Sequence, residues 1–212
     1  MPISQLDPET SKRARWARRM LRRLGWEVHF DVGGIRRGVV TLYPHTCYTD
    51  YVVLMLVLVA LDMPVSFLME GRITRLPVIG RWLRKMGGIV VTQENRHAMV
   101  GELLARFAAA RQSDARLWVV MFPEGGRREA NGWFDGFYRV AQGADVPVIL
   151  AALDYERHAL EVAGILHMGD NLDAEFKRIA DAYGAVKGFR PRHASPVQPR
   201  TPVSFWDSNG AT

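Results

Sequence analysis

Apolar residues recur at helical spacing over residues 11–24. Trp16, Met20, Leu21 and Leu24 share one side, and Ser11 is placed to cap the start. The pattern then changes to one rich in β-branched and aromatic residues, which predicts strands over 26–32 and 35–43. Gly33-Gly34 between them supplies the positive φ of a tight turn and predicts a hairpin. An apolar run over 51–61, bounded by Asp50 and Asp62, predicts a buried helix. Downstream, short apolar runs at 64–69, 89–92, 116–122 and 146–153 predict strands. Amphipathic stretches at 76–86, 95–111 and 173–186 predict helices, the second with Met99, Leu103, Leu104 and Phe107 on one side.

Strands alternating with helices predict an α/β fold. The expected architecture is a mixed, mostly parallel central sheet flanked by helices, with an N-terminal basic amphipathic helix. The runs at 116–122 and 146–153 are continuous rather than alternating, as expected of strands buried on both faces. Three regions follow: a basic helix over 1–25, a body over 26–187, and a tail over 188–212. The tail carries Pro191, Pro196, Pro199 and Pro202 among polar residues and reads as disordered or draped over the surface.

Charge sharpens this picture. The net charge is +6 and the pI about 9.8. Of 28 Lys and Arg, seven lie within residues 12–23 with no acid among them, and the other 21 face 22 Asp and Glu. The body is therefore close to neutral, which argues against a broad nucleic-acid-binding face. The basic segment combines Arg15, Arg19, Arg22 and Arg23 with Trp16, a composition suited to an anionic membrane surface. A helix packed on the body with its arginines in water has the same composition. The single cysteine, Cys47, provides neither a disulfide framework nor a cysteine metal cluster. No signal peptide and no membrane-spanning run are expected; the longest apolar run has eleven residues.

The candidate chemistry begins at Pro44-His45-Thr46-Cys47-Tyr48-Thr49-Asp50, where a strand gives way to a helix. A histidine held by a carboxylate has its tautomer fixed on one nitrogen and keeps the other for a proton, the minimal general base near neutral pH. Equally, a strand-end histidine and a helix-capping aspartate at this spacing need never meet. A second constellation, Phe122-Pro123-Glu124-Gly125-Gly126-Arg127, closes a predicted buried strand. Its glutamate can accept from a hydroxyl, and its arginine can grip a phosphate with two donors. Arg72, before the Pro77-x-x-Gly80 turn, is a third candidate anion ligand. Trp133 to Tyr138 form an aromatic cluster that suits the core or the wall of a site. Cys47 is too close to His45 along the chain to face it as a nucleophile.

Taken in order, His45-x-x-x-x-Asp50, Arg72 with Gly80 and Gly87-Gly88-Ile89, Phe122 to Arg127, and Val146-Pro147-Val148-Ile149 resemble the glycerolipid acyltransferase superfamily. That superfamily is typified by 1-acyl-sn-glycerol-3-phosphate acyltransferase. The resemblance runs from about residue 39 to 155 and is closest to short, soluble-looking members. It implies that His45 is the general base and Asp50 its orienting partner. It also implies that Glu124, Gly125, Gly126 and Arg127 hold the acceptor, with Arg72 as the second basic residue. The implied reaction moves a fatty acyl group from acyl carrier protein or coenzyme A to a lysophospholipid or similar acceptor at the cytoplasmic membrane face. No cofactor or metal is required, because the thioester is already activated. An acyl hydrolase using the same pair, or a non-catalytic peripheral lipid-binding protein, are the alternatives.

The sequence departs from the superfamily pattern at three places. Gly126 stands where a threonine is usual, Thr92-Gln93 where Asp-Arg is frequent, and Phe134 where look-alikes often carry lysine. Two of these changes remove cations expected near an anionic acceptor, which makes a less anionic acceptor such as an aminolipid credible.

Overall fold

The computed structural model describes residues 11–62, 65–71, 77–92 and 96–200. In chain order the elements are α1 (Lys12–Arg23), β1 (Glu27–His29), β2 (Arg37–Tyr43), α2 (Thr49–Leu61), β3 (Val65–Glu70), α3 (Pro77–Lys85) and β4 (Gly88–Val91). They continue with α4 (Arg96–Gln112), β5 (Leu117–Met121), α5 (Gly136–Ala144), β6 (Val148–Asp154), β7 (Ala159–Leu166) and α6 (Leu172–Tyr183). A 3-10 turn, Pro191–His193, follows. The described strands form one sheet of seven in the order β1-β7-β6-β2-β5-β3-β4. Every pairing is parallel except β6 with β7. This is the expected mixed, mostly parallel α/β sheet.

The continuous apolar runs follow from burial on both faces. Successive side chains of a strand point to opposite sides. Val39, Val119, Val148 and Leu150 therefore enter one core with residues of α4, α5 and α6. Val40, Leu42, Trp118, Val120 and Ile149 enter the other with α1 and α2. β6 is buried along its whole length. Trp133, Phe137 and Tyr138 of the aromatic cluster belong to the first core, where Trp133 and Phe137 are fully enclosed.

The predicted hairpin does not form. Gly33 and Gly34 do adopt positive φ, at 56° and 81°, but the chain leaving them crosses the sheet. β1 pairs with β7 at one edge, and β2 lies further in, beyond β7 and β6. β2 is hydrogen-bonded on both sides, by β5 and by β6, so it offers β1 no free edge. The sequence pattern does not predict β7. It is a half-buried strand with Gly164 inside it. The turn before it is closed by His158 at a φ of 48° rather than by the Gly, Asn or Pro that marks a turn in sequence.

In α1, Ser11 caps the first turn by accepting from the Ala14 backbone N–H. The buried face differs from the expected one: Ala14, Ala17 and Leu21 pack inward, while Trp16 and Leu24 are exposed. Small alanines allow close approach to α2, and the Arg18 Nε–H donates to the Ala60 carbonyl at 3.0 Å. Arg15, Trp16, Arg19, Arg22 and Arg23 all lie on the exposed side.

Candidate active site

β6, β2 and β5 are adjacent and parallel, so their C-terminal ends open on the same edge of the sheet. That edge is where ligands bind in α/β sheets, because chain leaving neighbouring strands diverges there. β2 delivers His45 and Asp50, β5 delivers Glu124 to Arg127, and β6 delivers Tyr155. The Tyr43–Pro44 peptide leading into the first loop is cis.

Asp50, in the first turn of α2, turns its carboxylate back onto the loop. Its Oδ2 accepts from the Thr46 N–H at 2.6 Å and the Cys47 N–H at 2.9 Å, and lies 3.0 Å from His45 Nδ1. Its Oδ1 accepts from the Tyr155 hydroxyl at 2.7 Å and the Cys47 thiol at 3.0 Å. Burial works to raise its pKa, but the bonds from His45, Cys47 and Tyr155 outweigh it and hold the carboxyl below its ordinary value. An ionised carboxylate can only accept, so Nδ1 carries the proton and Nε2 is left as the basic nitrogen. The ring sits against Phe122, centroids 4.0 Å apart, and edge-on to Tyr51 at 4.8 Å. His45 is 2 % exposed and Asp50 0 %.

Glu124 is also buried, at 2 %. Its Oε2 accepts from the His45 backbone N–H, and its Oε1 from the Ser195 N–H at 2.8 Å. Burial pushes its pKa up to about 7 against the pull of those two N–H groups, and the charge of Asp50 adds to the rise. Gly125 holds a φ of 66°, and a Cβ there would lie 2.4 Å from the Phe134 ring, so this turn excludes any side chain. Around Gly126 there is open space. Arg127 lays its guanidinium 4.0 Å over the Tyr48 ring and donates to the Tyr48 hydroxyl at 2.9 Å.

These loops wall a cavity of about 880 Å³. Residues 46–49 form one side and 124–130 another. Phe189, Arg190, His193 and Arg200 close it from the C-terminal segment. The His45 ring lies behind this wall rather than on it. Among the described residues, no three His, Cys, Asp or Glu side chains are grouped to hold a metal ion.

The sequence pattern of the Acyltransferase family matches residues 18–153, well over half of the chain, including the loops after β2 and β5 and nearly all of β6. The chain belongs to the acyltransferase family. No curated protein sequence matches it. Among solved structures, the 1-acyl-sn-glycerophosphate (LPA) acyltransferase PlsC from Thermotoga maritima is similar, with a TM-score of 0.51 at 13% identity. That match covers 80% of this chain and 74% of that one, a likeness of fold.

In this acyltransferase the fold brings His45, Asp50, Glu124, Gly125, Gly126 and Arg127 to one sheet edge. Arg72 lies outside the described residues. Two contributors give no signal in the sequence. Tyr155 belongs to no motif, and only the β6–β2 pairing places it beside Asp50. The segment 188–200, which reads as a tail, is packed into the site. Ser195 is fully buried, and the Arg190 N–H donates to Thr46 Oγ1 at 3.2 Å. A run of prolines suppresses regular structure, so nothing in its periodicity marks it as ordered. No described helix is long and apolar enough to cross a membrane.

Proposed function

We propose that this acyltransferase moves a fatty acyl group from a thioester, on acyl carrier protein or coenzyme A, to the hydroxyl of a lysolipid acceptor at the cytoplasmic face of a membrane. The observation that carries this reading is the 3.0 Å contact between His45 Nδ1 and Asp50 Oδ2, buried at the C-terminal end of β2. A buried, hydrogen-bonded carboxylate fixes the imidazole tautomer and stabilises the imidazolium that forms when the ring takes a proton.

His45 Nε2 removes the acceptor hydroxyl proton as that oxygen attacks the thioester carbonyl. The tetrahedral oxyanion collapses, the carbon–sulfur bond breaks, and the proton passes from Nε2 to the departing thiolate. The products are an ester and a free thiol, and no electrons change hands. His45 is 2 % exposed, so an acceptor reaches the ring only when a neighbouring group moves aside. The exposed face of α1 gives the enzyme a basic, tryptophan-bearing surface suited to anionic head groups.

The test is a panel of lyso-acceptors offered with labelled acyl thioester to wild type and to His45→Ala. Transfer by wild type and its loss in the variant, with cooperative unfolding retained, is the expected result. Equal turnover by both would sink the mechanism. Acyl release without an acceptor would mark a hydrolase.

A further inference from the structure

The C-terminal segment is built into the pocket rather than laid across it. Gly188 crosses the His45 loop so closely that a Cβ would lie 2.8 Å from Pro44 Cγ and from Thr46 Cγ2. Ser195 closes the far end, its N–H on Glu124 and its hydroxyl accepting from the Ala130 N–H at 3.1 Å. His193 Nδ1 lies 3.1 Å from the Arg127 carbonyl, and Trp133 and Pro199 form a parallel bridge. Held in this way, the segment presents Arg190, His193 and Arg200 to the same cavity that Arg127 and Arg128 line from the other side. The Arg200 guanidinium is seated 4.5 Å over the ring of Phe134.

The cavity thus carries four guanidinium groups against two carboxyls, Glu124 and Glu129. Glu124 is buried with both oxygens on backbone N–H groups, and its raised pKa reduces its charge further near neutrality. Arginines that line one cavity from two segments match a tetrahedral anion bearing several acceptor oxygens.

We propose that Arg190 and Arg200 are anion-binding residues that, with Arg127 and Arg128, hold the phosphate ester of the acceptor. The segment 188–200 then sets acceptor specificity. This rests on the acyl-transfer reading for the identity of the acceptor, but not for the existence of the site. It also answers the departures in the sequence, because the cations missing from the body are supplied by the strap. Phe134, apolar itself, is the platform for one of them.

The experiment is isothermal titration of the full-length protein with glycerol 3-phosphate, inorganic phosphate and coenzyme A. Wild type, Arg190→Ala/Arg200→Ala, Arg190→Lys/Arg200→Lys and Arg106→Ala, an arginine of α4 outside the cavity, are compared. Wild type and Arg106→Ala are expected to bind glycerol 3-phosphate alike. The double alanine variant should bind it ~100-fold more weakly, roughly tenfold for each guanidinium removed. The double lysine variant should recover part of that affinity, and coenzyme A binding should stay unchanged. Should the alanine pair fail to fold, Arg190→Glu decides, since Arg190 is exposed and its bond to Thr46 is made by the backbone. Unchanged glycerol 3-phosphate binding in these variants, or no binding by wild type, would overturn the proposal. A loss confined to coenzyme A would assign the cations to the donor, and a preference for inorganic phosphate would remove the acceptor. Glycerol 3-phosphate binding that depends on Arg190 and Arg200 in a protein inactive with every acceptor would uphold the site while sinking the acyl-transfer reading. The reverse outcome would sink the site alone.

Discussion

The Tyr155 hydroxyl donates to Asp50 Oδ1 at 2.7 Å, joining the end of β6 to the start of α2. Tyr155 also lies edge-on to Trp26, with centroids 4.9 Å apart, and against Phe189 at 5.4 Å, so its position is fixed by packing. Its bond is one of those that keep Asp50 ionised in a buried site. In the proposed mechanism Tyr155 is a positioning residue, acting on His45 through Asp50.

Tyr155→Phe keeps the ring and removes the donor. A hydrogen bond to a charged group contributes about 1.5–3 kcal/mol. We expect kcat to fall by roughly ten- to a hundredfold with little change in acceptor KM, and the acid limb of the pH–rate profile to move upward as the Asp50 pKa rises. Steady-state kinetics across pH checks this. A loss of activity with an unmoved profile would leave Tyr155 a purely structural role.

Glu124 makes stability depend on pH in an unusual direction. Its folded pKa is raised to about 7 from an ordinary 4.5. Between those values the folded protein holds a proton that the unfolded chain has lost, so stability falls as pH rises through this window, by about 3 kcal/mol. Asp50 works the other way: its lowered pKa contributes stability that is lost as pH drops through the acid range. Urea unfolding at pH 5 and pH 7 checks the sign. The difference between the two pH values should shrink in Glu124→Gln. That variant should also be less stable, because an amide presents only one accepting oxygen to two N–H donors.

The two glycines after Glu124 should respond unequally. Gly125→Ala forces a side chain into left-handed backbone and against Phe134. A loss of about 2 kcal/mol or more is expected, together with reduced activity. Gly126→Ala meets open space and should be within about 0.5 kcal/mol of wild type. Chemical denaturation of the two variants separates them.

The exposed face of α1 can be tested without uncovering the core. Deleting the helix would expose the surface that Ala14, Ala17 and Leu21 cover, so substitution is the cleaner route. In Trp16→Ala/Arg19→Glu/Arg22→Glu/Arg23→Glu, binding to anionic vesicles should fall at least ~100-fold, at about 1 kcal/mol per basic residue. The thermal midpoint should change little, and transfer to a short soluble acceptor should persist. Unchanged vesicle sedimentation would refute a membrane role for this face.

By itself, the sequence determined the parts of this protein that local pattern encodes. The continuous apolar runs of β5 and β6 identify doubly buried strands, because both faces of a sheet covered by helices must be apolar. The five-residue spacing of His45 and Asp50 places both in one loop, where a carboxylate in the first turn of a helix can turn back on the residues before it. The Pro-Glu-Gly-Gly-Arg turn after β5 is equally local. Tertiary structure decided what depends on which strands become neighbours. Gly33-Gly34 looks like a hairpin because turn chemistry is local, yet β1 goes to the far edge, since β2 is paired on both sides by strands more than 70 residues away in sequence. Tyr155 reaches Asp50 because β6 lies against β2. The proline-rich segment 188–200, without periodicity to read, becomes a wall of the active site because Glu124 and Thr46 present hydrogen-bonding oxygens to its backbone.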